Sequence, residues 1–197
     1  MERFRNTGQP DWDWWGRLWP TPGATLRRLG VAAGDTVAEV GSGNGYFALP
    51  AARITAPAET YALDIDESLL DELERLADRQ GIDNVVPVHC DARDLTGALD
   101  AGIDVLLMAN TFHGIDDPGE FAREAAAALD PGGRFVVVNW YDRARAETTV
   151  GGEPRGPPTS LRLSPAETVD IVTGAAALSR HELPPYHYGV VFERARV

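Results

Sequence analysis

The chain has no lysine: the 18 basic residues are all arginine, set against 30 aspartates and glutamates, for a net charge of -12. An acidic surface repels phosphate backbones and anionic bilayers, which argues against nucleic-acid and membrane partners. Acid excess without lysine fits a salt-adapted organism, where screening removes the self-repulsion of like charges. It fits a GC-rich genome that favours arginine codons as well. Cysteine is nearly absent. Cys90 stands alone, so no internal disulfide can form, and its apolar strand context reads as a small buried residue. The four histidines and that cysteine never fall at metal-ligand spacing, so no metal is expected. No apolar run approaches the roughly 20 residues of a membrane-spanning helix, and the N-terminal stretch lacks the apolar core of a signal peptide. These absences point to a soluble, cytoplasmic, acidic protein whose 197 residues suit a single domain.

What is present sorts into alternating elements. Residues 1–20 are mostly polar but carry four tryptophans, Trp12, Trp14, Trp15 and Trp19. On a helix begun by Pro10-Asp11 and stopped by Pro20, Trp12, Trp15 and Trp19 share a face. That face either packs on the domain as core or forms a lid whose rings border a substrate pocket. Thr21-Pro22 starts a second helix ending near Gly30, which completes a helical arm over residues 1–30. Strands are predicted over 36–40, 60–63, 85–89, 104–109 and 134–140, with helices over 46–54, 67–80 and 118–129. Asp130-Pro-Gly-Gly133 reads as a firm break, and residues 142–160, with six Gly or Pro, as a long ordered substrate-side loop. Ser164-Pro165-Ala166-Glu167 is a capping box for a helix to about Ala177, before strands near 179–183 and 188–194. Strands alternating with helices imply one doubly wound α/β domain over 1–197. The last two strands, joined by little more than Pro184-Pro185, must pair antiparallel.

The organising stretch is Val37 to Phe47, VAEVGSGNGYF, an apolar strand running into glycines at 41, 43 and 45 and then a helix. Glycine tolerates positive φ and brings backbone close to a ligand. The third glycine of a dinucleotide fingerprint would stand where this chain has Tyr46, and the Lys and Ser/Thr of a phosphate-gripping loop are missing. Glu39 before the turn would repel a pyrophosphate and suits a ligand with positive charge. Asp64, at the end of the second strand, can accept from both hydroxyls of a ribose, or else cap the next helix. Asp66 reads as the helix cap. Asp91, beside the third strand end, can accept from an exocyclic amino group such as adenine carries, with Asp94 expected to cap the following turn.

With these marks in order, residues 36 to 141 resemble the class I S-adenosylmethionine-dependent methyltransferases. EVGSGNGYF resembles that family's glycine motif, ALDID its ribose-binding acidic motif, CDARD its adenine-contacting motif and DVLLMANTFHGI its fourth; LDPGGRFVVVNW resembles the segment entering strand five. The resemblance implies a three-layer Rossmann-like fold with a seven-stranded sheet of order 3-2-1-4-5-7-6, strand seven antiparallel. It implies S-adenosylmethionine as cofactor and S-adenosylhomocysteine as product. By it, Gly41, Ser42, Gly43 and Gly45 approach the methionine part and Glu39 faces that zwitterionic end. Asp64 holds the ribose, Ile65 contacts the adenine face, Asp91 with Ala92 reads the adenine edge, and Asn110 sits beside the sulfonium.

Methyl transfer from a sulfonium needs a general base only where the acceptor's attacking atom must lose a proton. His113, on the loop after strand four, is the candidate catalytic residue; the alternative is a local hydrogen bond. Trp19, Asn139, Trp140, Tyr141 and Arg155 are candidates for the acceptor pocket, although Arg155 equally reads as a surface arginine. The asparagine-proline-proline-tyrosine motif of nucleic-acid amino methylation is absent. The expected acceptor is therefore a small molecule. Two other functions compete: a non-catalytic adenosyl-cofactor-binding or interaction module, and a nicotinamide-dependent oxidoreductase, against which the glycine spacing argues.

Overall fold

Buried apolar runs and amphipathic stretches alternate along the chain, and in a computed structural model, which describes residues 10–99 and 102–196, they fold as strand and helix in turn. Helices α1 (Trp12–Leu18) and α2 (Pro22–Arg28) precede strand β1 (Val37–Val40). Then follow α3 (Ala48–Thr55), β2 (Thr60–Asp64), α4 (Glu67–Gln80), β3 (Val85–His89), the short α5 (Leu95–Ala98) and β4 (Ile103–Ala109). The chain continues through α6 (Pro118–Ala128), β5 (Leu129–Trp140), a small hairpin of β6 (Thr149–Val150) and β7 (Glu153–Pro154), and α7 (Pro165–Ile171). It closes with β8 (Ala176–Leu183) and β9 (His187–Glu193).

Seven strands form one sheet in the order β3-β2-β1-β4-β5-β9-β8, parallel up to β5, with β9 antiparallel to both β5 and β8. This is the expected 3-2-1-4-5-7-6 arrangement once the small separate hairpin is set aside. The central strand β1 is buried at all four positions, as a strand covered on both faces must be. One face carries α1 to α4 through Trp15, Trp19, Leu26, Phe47, Leu49 and Leu73; the other carries α5 to α7 through Leu95, Phe121, Ala125 and Val172. Helix α4 shows how local signals act together. Asp66 accepts from the Ser68 N–H at its start, and Gly81 ends it in the left-handed conformation at φ 63°.

Five local expectations are corrected. Helix α3 begins at Ala48, because the glycine turn absorbs Tyr46 and Phe47. Helix α7 ends at Ile171, well before Ala177, since pairing with β9 from Ala176 onward overrides the helix propensity of the alanines. Residues 130–133 are a bulge inside β5 rather than a break before it: Leu129 already pairs with Ile103, and pairing resumes at Arg134. The 142–160 loop contains the β6–β7 hairpin, turned by Gly151 and Gly152, both at positive φ as a tight primed turn requires. Asp94 stands at the start of α5 without a side-chain cap, and it is Asp91 that caps the turn at 92–94 before it.

Of the tryptophan face, Trp15 and Trp19 are buried in the core while Trp12 is half exposed, edge-on to Tyr46. Residues 1–9 of the arm lie outside the described residues. Cys90 is half-buried, and burial lifts its thiol pKa to about 11. No helix among the described residues is long and apolar enough to cross a membrane.

Candidate active site at the carboxyl edge of the sheet

The glycine turn is wired to the neighbouring strand before any ligand is considered. Gly41 and Ser42 N–H groups donate to the Leu63 carbonyl at 2.8 and 3.0 Å, and Gly43 N–H donates to Asp64 Oδ2 at 2.7 Å. Gly41, Gly43 and Gly45 all have positive φ, at 75°, 55° and 90°. A Cβ on Gly41 would fall 2.5 Å from Thr111 Cγ2, and one on Gly45 2.9 Å from Leu49 Cγ. The protein's own packing therefore demands two of these glycines. Asp64 accepts from the Asp66 N–H through its other oxygen at 3.0 Å, so backbone donors hold both carboxylate oxygens in place.

Glu39 is buried at the end of β1, where the first N–H of α3, from Ala48, donates to it. Burial, then the nearby Asp64 charge, raise its pKa well above the ordinary carboxyl value. Its Oε2 has no partner among the described residues. Asn110, at the end of β4, holds φ 64° and is the one non-glycine residue with positive φ among the described residues. Both polar atoms of its side-chain amide are buried without a hydrogen bond among the described residues. An uncompensated amide in a strained backbone costs several kcal/mol in total, roughly 1–3 for each of the two features, and such sites cluster where ligands bind.

Ile65 stands half exposed after Asp64, and Ala92 is buried beside β3. Asp91 is bound by its own loop: Arg93 N and Nε donate to its Oδ1 at 3.0 and 2.9 Å, and the Arg93 guanidinium also meets Oδ2. Those bonds hold its carboxyl below the usual range. The Arg93 side chain is exposed, so Asp91 shares both its oxygens with a surface cation.

On the other side of Asn110, Phe112 plugs into a core cluster with Phe121 and Phe135 and so fixes the short 3-10 turn that presents His113. His113 Nδ1 lies 3.1 Å from Asn139 Oδ1, near the end of β5. Burial holds the imidazole below its ordinary pKa, with Arg162 acting in the same direction against the Asn139 bond. Next to Asn139, Trp140 packs on the opposite face of the sheet against His187, centroids 4.2 Å apart; Trp19 covers the same imidazole at 4.5 Å. His187 is buried with neither ring nitrogen bonded among the described residues, and burial keeps it neutral. Tyr141 leans on Tyr188, while Arg155 lies over the Trp14 ring at 5.0 Å and so joins the 142–160 loop to the arm.

The fold thus draws together Glu39, the glycine turn, Asp64 and Asn110 at the ends of β1, β2 and β4. It joins His113 to Asn139, and Trp19 to Trp140 through His187. Tyr141 and Arg155 lie on the loop side, each engaged with another aromatic ring. Three further residues organise this region. Thr111 bonds Val40 O at 3.0 Å and covers Gly41. The Tyr46 hydroxyl donates to Trp19 O at 2.9 Å and ties the arm to the turn. Arg162, buried, donates to the carbonyls of Pro157, Arg143 and Arg155 and stacks over Trp140. No sequence signal distinguishes such an arginine from a surface one, since its partners are backbone carbonyls.

Residues 38–137 match the methyltransferase domain family. The chain is 32% identical over 126 residues to a ubiquinone/menaquinone biosynthesis C-methyltransferase of Pseudomonas putida, covering 63% of this chain and 48% of the relative. It is 31% identical over 119 residues to the ribosomal protein L11 methyltransferase of an Exiguobacterium species, covering 60% of this chain and 36% of that protein. The chain therefore spans about half or less of the length of these curated relatives. Among solved structures, a SAM dependent methyltransferase from Aquifex aeolicus superposes with a TM-score of 0.76 over 90% of this chain and 92% of that one, at 22% identity. At that identity the likeness is one of fold.

Proposed function

Because the chain belongs to the methyltransferase domain family, we propose that it transfers a methyl group from S-adenosylmethionine to a small aromatic acceptor. The observation that carries this reading is Asn110, an unbonded buried amide held at positive φ beside the glycine turn. Glu39 with its unpartnered oxygen, Asn110 and Gly43 suit a cationic amino-acid end. Asp64 and the exposed Ile65 suit an adenosyl group, with Asp91 and Ala92 at its edge. When bound, the cofactor supplies an electrophilic methyl already activated on sulfur, so the protein's work is positioning and exclusion of water.

On the acceptor side, His113 takes the proton of an attacking atom that must lose one. Tyr141 supplies apolar wall, with Asn139 behind His113 and Arg155 on the loop, while Trp19 and Trp140 pack on His187 across the sheet and brace the site from behind. The ubiquinone/menaquinone biosynthesis named for the Pseudomonas relative supports an aromatic acceptor. A protein acceptor is the second reading, favoured by the match to a ribosomal protein methyltransferase.

Calorimetry with S-adenosylhomocysteine and with NAD tests the donor: micromolar binding of the first alone is expected, and NAD binding alone would overturn the reading. Methyl release from labelled S-adenosylmethionine with fractionated cell extract tests the acceptor. Label in small molecules supports the first reading, label in protein the second, and no transfer the non-catalytic module.

A further inference from the structure

Asn139 carries more structural information than its place in a buried strand requires. It is fully buried in β5, and two hydrogen-bonding groups converge on one atom of its amide. The Trp140 backbone N–H points at Asn139 Oδ1 from 3.1 Å, and His113 Nδ1 lies 3.1 Å from the same atom. A backbone N–H can only donate. The atom it meets must therefore be the amide oxygen and not the NH2, which fixes the orientation of Asn139. An amide oxygen can only accept. In a neutral ring His113 Nδ1 must then carry the hydrogen, and the lone pair is left on Nε2. Nε2 makes no hydrogen bond among the described residues, and His113 is only partly covered.

We propose that Asn139 is a positioning residue that locks His113 as the Nδ1–H tautomer, so that Nε2 faces the acceptor as the proton-accepting atom. This deepens the assignment of His113 as general base and rests on it for its catalytic meaning. One proton passes from the acceptor's attacking atom to Nε2, and the resulting imidazolium keeps its Nδ1–H on Asn139 Oδ1. Asn139, unlike a carboxylate, adds no negative charge behind the ring. The charged group that acts on His113 is Arg162, preceding α7, which opposes a proton on it; His187, at the start of β9, is itself kept neutral by burial. The ring therefore stays neutral and available at neutral pH.

The test is nitrogen-15 NMR on histidine-labelled full-length protein, which needs no acceptor. In the wild type, His113 is expected with protonated Nδ1 and unprotonated Nε2, the minority form of free histidine. Asn139→Ala should convert it to the ordinary Nε2–H form or to a mixture. Asn139→Asp, of nearly the same shape, should keep the Nδ1–H form and raise the His113 titration midpoint by about one unit or more, because a carboxylate now faces the ring. An Nε2–H ring in the wild type overturns the proposal, as does a midpoint unmoved in Asn139→Asp. If Asn139→Ala fails to fold, the wild-type spectrum and the aspartate variant still decide. Failure of the general-base reading shows separately, as full methyl transfer by His113→Ala in a protein whose wild-type His113 is Nδ1–H.

Discussion

Thr111 sits directly over Gly41, with its Cγ2 2.5 Å from where a Cβ would stand and its hydroxyl donating to Val40 O at 3.0 Å. The contact joins the end of β1 to the start of the loop that carries Asn110 and His113. The two halves of the candidate site are thereby held in register by one side chain on one bare backbone.

Gly41→Ala should therefore destabilise the protein by about 1–3 kcal/mol from the left-handed backbone alone, with the clash added. Thr111→Ser removes Cγ2 and keeps the hydroxyl. The double variant should recover the clash part and leave the backbone part, as read by denaturant unfolding. A Gly41→Ala protein as stable as the wild type would show that the turn adjusts freely.

Glu39 predicts a pH dependence of definite sign. Its carboxyl is raised in the folded protein, chiefly by burial and then by Asp64. The stability contributed by the protonated form is fully present below the unfolded value of about 4.3 and is lost as pH rises toward the folded value. Glu39→Gln cannot ionise, so melting temperatures of the ligand-free variant should fall less between pH 5 and 8 than those of the wild type. Binding a cationic ligand beside Glu39 should release its proton. Calorimetric binding heats would then depend on the buffer in the wild type and not in the variant.

His113→Ala should lower turnover more than about tenfold while S-adenosylhomocysteine affinity holds, the signature of a proton-accepting group outside the cofactor pocket. Burial lowers its pKa, so activity should persist below pH 6.5, the ordinary midpoint of histidine, as pH falls. Unchanged turnover on the acceptor would end the base assignment.

Arg162 holds the 142–160 loop from beneath, donating to three carbonyls and to Thr148 Oγ1 at 2.9 Å. Arg162→Ala leaves those acceptors unpaired and should cost about 2–4 kcal/mol. Limited proteolysis should then cut within residues 142–160 before the rest of the chain. Arg162→Lys keeps the charge without the fork of donors and should rescue only part of the loss. Equal protease resistance in all three proteins would refute this role.

The alternation of strands and helices was legible because it rests on short-range signals: the period of Leu69 to Ala77, the capping residues Asp66 and Ser164, the apolar run of β4. The strand order came from the family resemblance, since no local signal sets which strands lie side by side. The cofactor-side candidates were equally legible, since Glu39, Asp64, Asp91 and Asn110 each stand at a strand end that periodicity locates. The end of α7 was not. Alanines at 175–177 favour a helix locally, and only the free edge of β9 makes a strand there the better use of their backbone groups.

By itself the sequence determined which residues reach the carboxyl edge of the sheet, because strand length and alternation set where each side chain emerges. It also determined, through Tyr46 and the absent lysine, that the glycine turn departs from the dinucleotide and phosphate-gripping patterns. Tertiary structure alone decided what those residues do to one another. That Gly41 must be bare because of Thr111, that a buried Arg162 carries the loop, and that Trp140 N–H fixes the amide that orients His113 all depend on atoms far apart in the chain or on the rotation of one buried side chain. Such contacts follow from packing density and hydrogen-bond satisfaction over the whole domain, and no local pattern encodes them.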